Sequence, residues 1–462
     1  MEPAAIARAL EAQGTVYRGE RYTGLVSPSS VVLPERAADE LPAQMAAIWQ
    51  WNRTWHDLYS EHLAGGEEDH WLVRSTEWGT SPKALAVQRR PDVLARDPHV
   101  GRVDSVTLDP VQRVAEVQWK GGGEGFAAGI QSAYLGLRAP DGEERALGGR
   151  LLDTWAAFFR AHARGERAFV VNSSRATWAP SERFLIDGLR ERGVEMTFVP
   201  RSEIGSVIRV EGGAVLAPFG PRLERVDVIY LDRLSEALPV DLFDGLVGAY
   251  LDGAVHVDPP PTYLYSQKLG FVLPWHRDYR HRFSDAVREL LIPSAPIGEG
   301  PPDLEPIAGA VEHPRRDLLG ELREWEDLQR LPVSLRRALV AKCGSVNGRL
   351  NNAGRGVWRL GAAATLEAVL ERVRGRGEPW ILQPYLNRRW QVPLAHPDEA
   401  SAQPHAAHGR YLVYASAMRG SHEVLGGLAT FSTFWKAAGK DAGEPSGGRP
   451  GGAAFVDLRV GA

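Results

Sequence analysis

The sequence predicts a mixed α/β chain, and three observations carry that expectation. Two short segments, RVDSVTL and VAEVQW, alternate with period two and read as adjacent strands at residues 102–108 and 114–119. A strand, a helix with a glycine stop and a second strand follow in RAFVVNSS, SERFLIDGLRERG and VEMTFVP, the pattern of a small parallel α/β unit. Farther on, the apolar segments LRRALVA and WILQPYL stand on either side of a glycine-rich stretch.

Composition bounds the class. With 462 residues, 44% hydrophobic and 24% charged, the chain can bury substantial cores in two or three packed units. A formal net charge of −4 carries no global signal for nucleic acid or an anionic membrane surface. The opening MEPAAIARALEAQG is a short amphipathic pattern without the basic and apolar regions of a signal peptide. No apolar run approaches the roughly 18 residues of a membrane span. The single cysteine, Cys343, excludes an intrachain disulfide, so the expected setting is a reducing cytoplasm. It reads as a small buried filler rather than a nucleophile.

Taken in order, residues 40–63 show apolar side chains at three- and four-residue spacing, a helix expected to pack the strand pair. After the strands, Gly121, Gly122, Gly123 and Gly125 suit either close backbone approach to a ligand or a sharp turn. The βαβ unit ends its first strand in Asn172, Ser173, Ser174 and Arg175. Open α/β sheets bind ligands at the carboxyl ends of their strands, so this cluster either holds a substrate carboxylate or caps the next helix. DVIYLD extends the unit, and the basic run HRDYRHRF reads as a solvated face. IPSAPIGEGPPDLEP is expected to be a long connecting loop. RYLVYASAM and VLGGLATFS form a hairpin about RGSHE, KAAGKDAGEPSGGRPGG has the composition of a flexible insertion, and AAFVDLRV can return as a strand.

The 102–119 segment holds the densest chemistry. Arg102 and Asp104 share one strand face, as do Glu116 and Gln118 on the next. Mg²⁺ takes hard oxygen ligands and completes its octahedron with water and phosphates, so these side chains suit a metal–ATP site. On these residues alone a solvated hairpin face is the favoured reading. Lys268 and Lys342, 74 positions apart, suit two strands, the second being LRRALVA ahead of a glycine-rich loop, and Gln383 with Tyr385 follow. The loop lacks a G-K-[ST] ending, which speaks against a P-loop NTPase.

In this order the motifs resemble those of the circularly permuted ATP-grasp ligases, the group that includes glutathionylspermidine synthetase and its bacterial relatives. The resemblance runs from about Leu33 to about Phe431 and is most specific in the R-x-D, eleven residues, E-x-N pattern. Arg102, Asp104 and Glu116 keep that pattern, and Gln118 stands where the family has Asn. Leu231 and Asp232 replace the family's arginine pair after Tyr230, and Gln267 replaces the acid before the lysine.

The resemblance implies a circularly permuted ATP-grasp fold with an inserted small parallel α/β domain. It divides the chain into N-terminal helices and metal-binding strands (1–146), a substrate-side α/β unit (147–262) and a nucleotide-binding half with a glycine-rich lid (263–462). It further implies an ATP-dependent carboxylate–amine ligase working through an acyl phosphate and releasing ADP. In that scheme Arg102 contacts the transferred phosphoryl, and Asp104, Glu116 and Gln118 bind Mg²⁺. Lys268, Lys342, Gly344, Gly354, Gly356, Gln383 and Tyr385 bind ATP, while Asn172, Ser173 and Arg175 face the substrate. The expected partners are a small acid and a small amine, with no nucleic acid and no membrane, in a monomer or homodimer. The three departures leave a second expectation, an ATP-binding scaffold of the same fold with impaired catalysis.

Overall fold

A computed structural model describes residues 1–13, 22, 24–107, 112–119, 124–137, 144–174, 179–200, 202–230, 238–262, 264–345, 356–386, 389–418, 420–432 and 453–461. Gly121–Gly123, Arg175, Leu231, Asp232, Gly354 and the 436–452 stretch lie outside the described residues.

The chain opens with a helix at Pro3–Ala12 and strand β1 (Val31–Pro34), then enters a long helix, Glu35–Ala64. That helix is longer than the 40–63 pattern by a turn at its start. It buries Met45, Ile48, Trp51, Trp55 and Tyr59 in one core, and its tryptophans also spend their ring donors: Trp49 Nε1 on the Pro98 carbonyl and Trp51 Nε1 on the Gly270 carbonyl. Strands β2 (Val100–Thr107) and β3 (Arg113–Gln118) lie antiparallel beneath it, with Val103, Val114 and Val117 in the same core. Period-two alternation therefore turns Arg102, Asp104, Glu116 and Gln118 to the other face.

The Glu124–Leu137 helix comes next, then a two-residue strand, β4 (Arg145–Ala146). Gly125 lies within that helix. A Cβ there would stand 2.2 Å from the Ser181 carbonyl, so this glycine serves the close crossing of two helices, neither a ligand contact nor a turn. The expected βαβ unit is present as β5 (Ala168–Ser174), the Ala179–Arg190 helix and β6 (Val194–Pro200). Gly193, at φ +78°, makes the return. A three-stranded antiparallel sheet, β7 (Arg209–Glu211), β8 (Ala214–Phe219) and β9 (Arg222–Arg225), precedes β10 (Val228–Tyr230) and β11 (His256–Asp258). Together β11, β10, β5 and β6 form a wholly parallel sheet in that order.

Three sequence expectations are revised after this point. Lys268 lies not on a strand but at the start of a 3₁₀ turn, Leu269–Val272. The stretch expected as a connecting loop contributes β12 (Ala295–Ile297), which pairs with a later strand. In LRRALVA the first residues close a short helix, Val333–Arg336, and only Leu339–Cys343 forms strand β13. Strands β14 (Val357–Arg359) and β15 (Trp380–Pro384) complete an antiparallel sheet ordered β12-β15-β13-β14. Cys343 is buried in its core, and burial followed by the nearby Glu378 carboxylate pushes its thiol up to about 12, which suits an inert filler.

Strand β16 (Arg389–Leu394) leads into the long hairpin β17 (Gln403–Met418) and β18 (Ser421–Ser432), turned at Gly420, and β19 (Ala453–Gly461). The largest sheet runs β1-β19-β18-β17-β2-β3, so strands from both ends of the chain share one ladder. Among the described residues no helix is long and apolar enough to cross a membrane.

Candidate active site

In the β2–β3 ladder Arg102 lies opposite Gln118 and Asp104 opposite Glu116, which brings a cation, two carboxylates and a carboxamide onto one sheet face. Asp104 is fully buried. Arg102 grips it with two bonds, Nε to Oδ1 at 2.8 Å and Nη2 to Oδ2 at 3.2 Å, and Arg410 on β17 approaches Oδ2 at 3.4 Å. Lys268 reaches Glu116 Oε1 at 3.0 Å. Lys342 donates from Nζ to the Ala115 carbonyl at 3.1 Å. Three separate segments thus bring their cations to two adjacent strands.

The electrostatics follow from this crowding. Burial alone would push the Glu116 carboxyl up, but Lys268, Arg410 and Lys342 outweigh it and hold the group well below the usual carboxylate range. Lys342 moves the other way. Burial, with Arg410 and Lys268 close by, pushes its ammonium down to about 7 against the attraction of Glu116 and Asp104. An excess of fixed positive charge in a recess is the arrangement a polyphosphate neutralises.

Beside these groups is a cleft of about 960 Å³ between the β12–β15 sheet and the large sheet, which Lys342 and Arg410 line together with Gln383, Tyr385, Arg359 and Arg113 among others. On its wall Gln383 donates from Nε2 to Ser294 Oγ at 2.7 Å, while its Oε1 is buried without a partner. The Tyr385 ring lies under the Arg359 guanidinium at 4.3 Å, and its backbone N–H is already given to the Ala338 carbonyl. Gly344 likewise donates its N–H to the Pro379 carbonyl, and a Cβ there would sit 3.2 Å from that oxygen. The Gly356 carbonyl accepts from Cys343 N and closes the β13–β14 pair. Gly354 lies outside the described residues.

The substrate-side expectations divide. Asn172 lies two residues before the end of β5, beside Tyr230 in the next strand, toward the carboxyl edge of the parallel sheet. Ser173 occupies that same strand end, and Arg175 lies outside the described residues. Tyr230 donates from Oη to Glu124 Oε1 at 3.2 Å, which links this edge to the Glu124–Leu137 helix. Burial, with Glu124 nearby, pushes the Glu182 carboxyl up to about 7. Glu124, Glu182, Ser294 and Arg359 escaped the sequence reading because no local pattern marks them; they meet the site only through long-range packing.

For Mg²⁺ the donor set fits: Asp104 and Glu116 face each other across the ladder, Gln118 adds a carboxamide oxygen, and all are hard ligands.

No protein-family model and no curated protein matches the sequence. The fold does have a solved counterpart, a glutathione synthetase-like effector from Globodera pallida in its apo form. It matches over 98% of this chain and 94% of its own, with a TM-score of 0.56 and 10% identity. The two chains share a fold. A candidate gamma-glutamylcysteine synthetase from Methylobacillus flagellatus KT aligns over 92% of this chain and 88% of its own, at a TM-score of 0.38 and 13% identity. The glutathione synthetase-like fold agrees with an ATP-grasp-like architecture.

Proposed function

We propose that this protein is an ATP-dependent carboxylate–amine ligase of the ATP-grasp type, releasing ADP and phosphate. One observation carries the reading: Lys268, Lys342, Arg102 and Arg410 converge on the Asp104–Glu116 pair, and Lys342 and Arg410 also line the cleft that Gln383 and Tyr385 line. The order of the parts, β2 and β3 ahead of the nucleotide-side strands, supports the finer likeness to the circularly permuted group around glutathionylspermidine synthetase.

In this reading Asp104, Glu116 and Gln118 would hold Mg²⁺, which supplies charge neutralisation at the phosphates when bound. Lys268 and Lys342 leave their present partners for phosphate oxygens. Arg102, planar and two-pronged, engages the γ-phosphoryl as it passes from ATP to a substrate carboxylate oxygen, with ADP as leaving group. The amine of the second substrate then attacks the acyl carbon and expels inorganic phosphate, leaving an amide. Asn172, toward the carboxyl edge of the parallel sheet, would orient the acid, and Ser173 follows it on the same strand.

The test is turnover of Mg–ATP with pooled small acids and peptides and with hydroxylamine as amine, scoring ADP, AMP and hydroxamate separately. ADP with a hydroxamate supports the ligase and identifies the acid by mass. AMP would replace it with an adenylating enzyme. ATP binding without turnover would leave the catalytically impaired scaffold.

A further inference from the structure

A second polar cluster lies away from the cleft, where β11 meets the start of β2 and the end of the Leu151–Ala161 helix. His256 and Asp258, two residues apart, project from one face of β11. His99 immediately precedes β2, and His162 follows the helix as its C-cap. One ligand atom from each of His99, His256 and Asp258 lies within 4.8 Å of the others. The His162 ring stacks on His256 with centroids 3.8 Å apart and planes 7° from parallel, and the His99 ring meets both edge-on at 5.1 and 4.6 Å.

The hydrogen bonding leaves this group incomplete. Asp258 is fully buried, and its Oδ1 accepts from the His99 backbone N–H at 3.0 Å. Its Oδ2 has no partner, and neither do His99 Nδ1, His162 Nε2 and His256 Nε2, all buried. Among the described residues no ion pair reaches Asp258. A buried carboxylate is costly unless a cation or donors compensate it, and four unsatisfied polar atoms in one spot are rarer than one.

We propose that His99, His256 and Asp258 bind a single transition-metal cation of the zinc class, with His162 as the adjoining imidazole. Two imidazole nitrogens and a carboxylate oxygen form a set that such ions prefer over Mg²⁺ or Ca²⁺. Zinc–ligand distances of about 2.0–2.1 Å place tetrahedral donors about 3.4 Å apart, so the side chains close inward by about 1 Å on binding. The ion would staple the last strand of the parallel sheet to the residue three positions before Arg102. It would thereby fix the substrate-side unit against the strand that carries Arg102 and Asp104. Asp104, Glu116 and the ATP cleft take no part.

The experiment loads full-length protein with Zn²⁺, dialyses it, and measures metal content by mass spectrometry beside His256→Ala and Asp258→Asn. One zinc per chain in the wild type and at least about a hundredfold weaker binding in both variants is expected, exceeding what loss of an outer-shell partner costs a site. Zinc should also raise the melting temperature of the wild type alone. No retained zinc, or equal retention in variants with native circular dichroism, would overturn the proposal. Should both variants misfold, Co²⁺ titration of the wild type decides: intense visible bands of a four-coordinate ion support the site, and the weak spectrum of aqueous Co²⁺ rejects it.

Discussion

Lys342 donates to the carbonyl of Ala115, and Ala115 is the residue skipped in the β2–β3 register, where Asp104 pairs with Glu116 and Ser105 with Val114. The bulge frees that carbonyl from its place in the ladder and lets a lysine from another sheet reach it. Such a bond is replaceable by a phosphate oxygen at little cost.

Proton uptake on nucleotide binding follows. Between about pH 7 and the ordinary 10.5, free folded protein holds fewer protons at Lys342 than the unfolded chain, so this residue's contribution to stability rises with pH across that window. ATP favours the ammonium form and raises the folded pKa, so binding above pH 7 takes up a proton and weakens as pH climbs. Calorimetry at pH 8 in two buffers of different ionisation enthalpy should register that proton in the wild type and not in Lys342→Met. Equal uptake in both would reject the role of Lys342.

Asp104 and Glu116 each carry both structure and chemistry. Asp104 is fully buried against Arg102, so Asp104→Ala takes from a largely buried guanidinium its carboxylate partner and should cost about 3–5 kcal/mol, read from urea unfolding. The half-exposed Arg410 adds little to that figure. Glu116→Gln keeps the shape but removes the charge that Lys268, Arg410 and Lys342 surround, so it too lowers stability, and ADP release measured where the variant stays folded falls by at least about a hundredfold. Intact turnover in Glu116→Gln would remove Glu116 from the metal set.

Lys268 is aimed from behind. Its 3₁₀ turn is seated by Gly270, whose carbonyl accepts from Trp51 and whose Cβ, if present, would come within 2.4 Å of the Trp55 ring. Gly270→Ala overpacks that contact, and a cost of about 1–3 kcal/mol is expected together with weaker ATP binding. The discriminating measurement is the ATP dissociation constant at a temperature where the variant remains folded. An unchanged constant would mean that the turn does not position Lys268.

Much of the fold was readable wherever a local signal existed. Period two in 102–119, the glycine stop at Gly193 and the apolar run before Pro384 all point to the elements that form. The failures share a cause as well. Lys268 and β12 lie in stretches whose conformation is set by distant partners, Trp55 for one and β15 for the other. At the site, Arg102, Asp104, Glu116 and Gln118 were legible because period two alone sets their common face. By contrast, Glu124 meets Tyr230 across 106 positions and Gln383 meets Ser294 across 89, distances at which one sequence carries no pairing information. The His99, His256 and Asp258 group was hidden in the same way.

Gln383 offers the sharpest test of base selectivity. Its Nε2 is spent on Ser294, and the remaining Oε1 is an unpaired buried acceptor on the cleft wall. An acceptor in that position suits the exocyclic amino group of adenine and opposes the carbonyl oxygen of guanine, which would leave two acceptors face to face. The wild type should therefore bind ATP more tightly than GTP. Removing the acceptor in Gln383→Met weakens ATP by about tenfold, the worth of one buried hydrogen bond, while GTP binding changes little. Competition titrations with both nucleotides measure the ratio. A selectivity that survives the substitution would place adenine recognition elsewhere along the cleft.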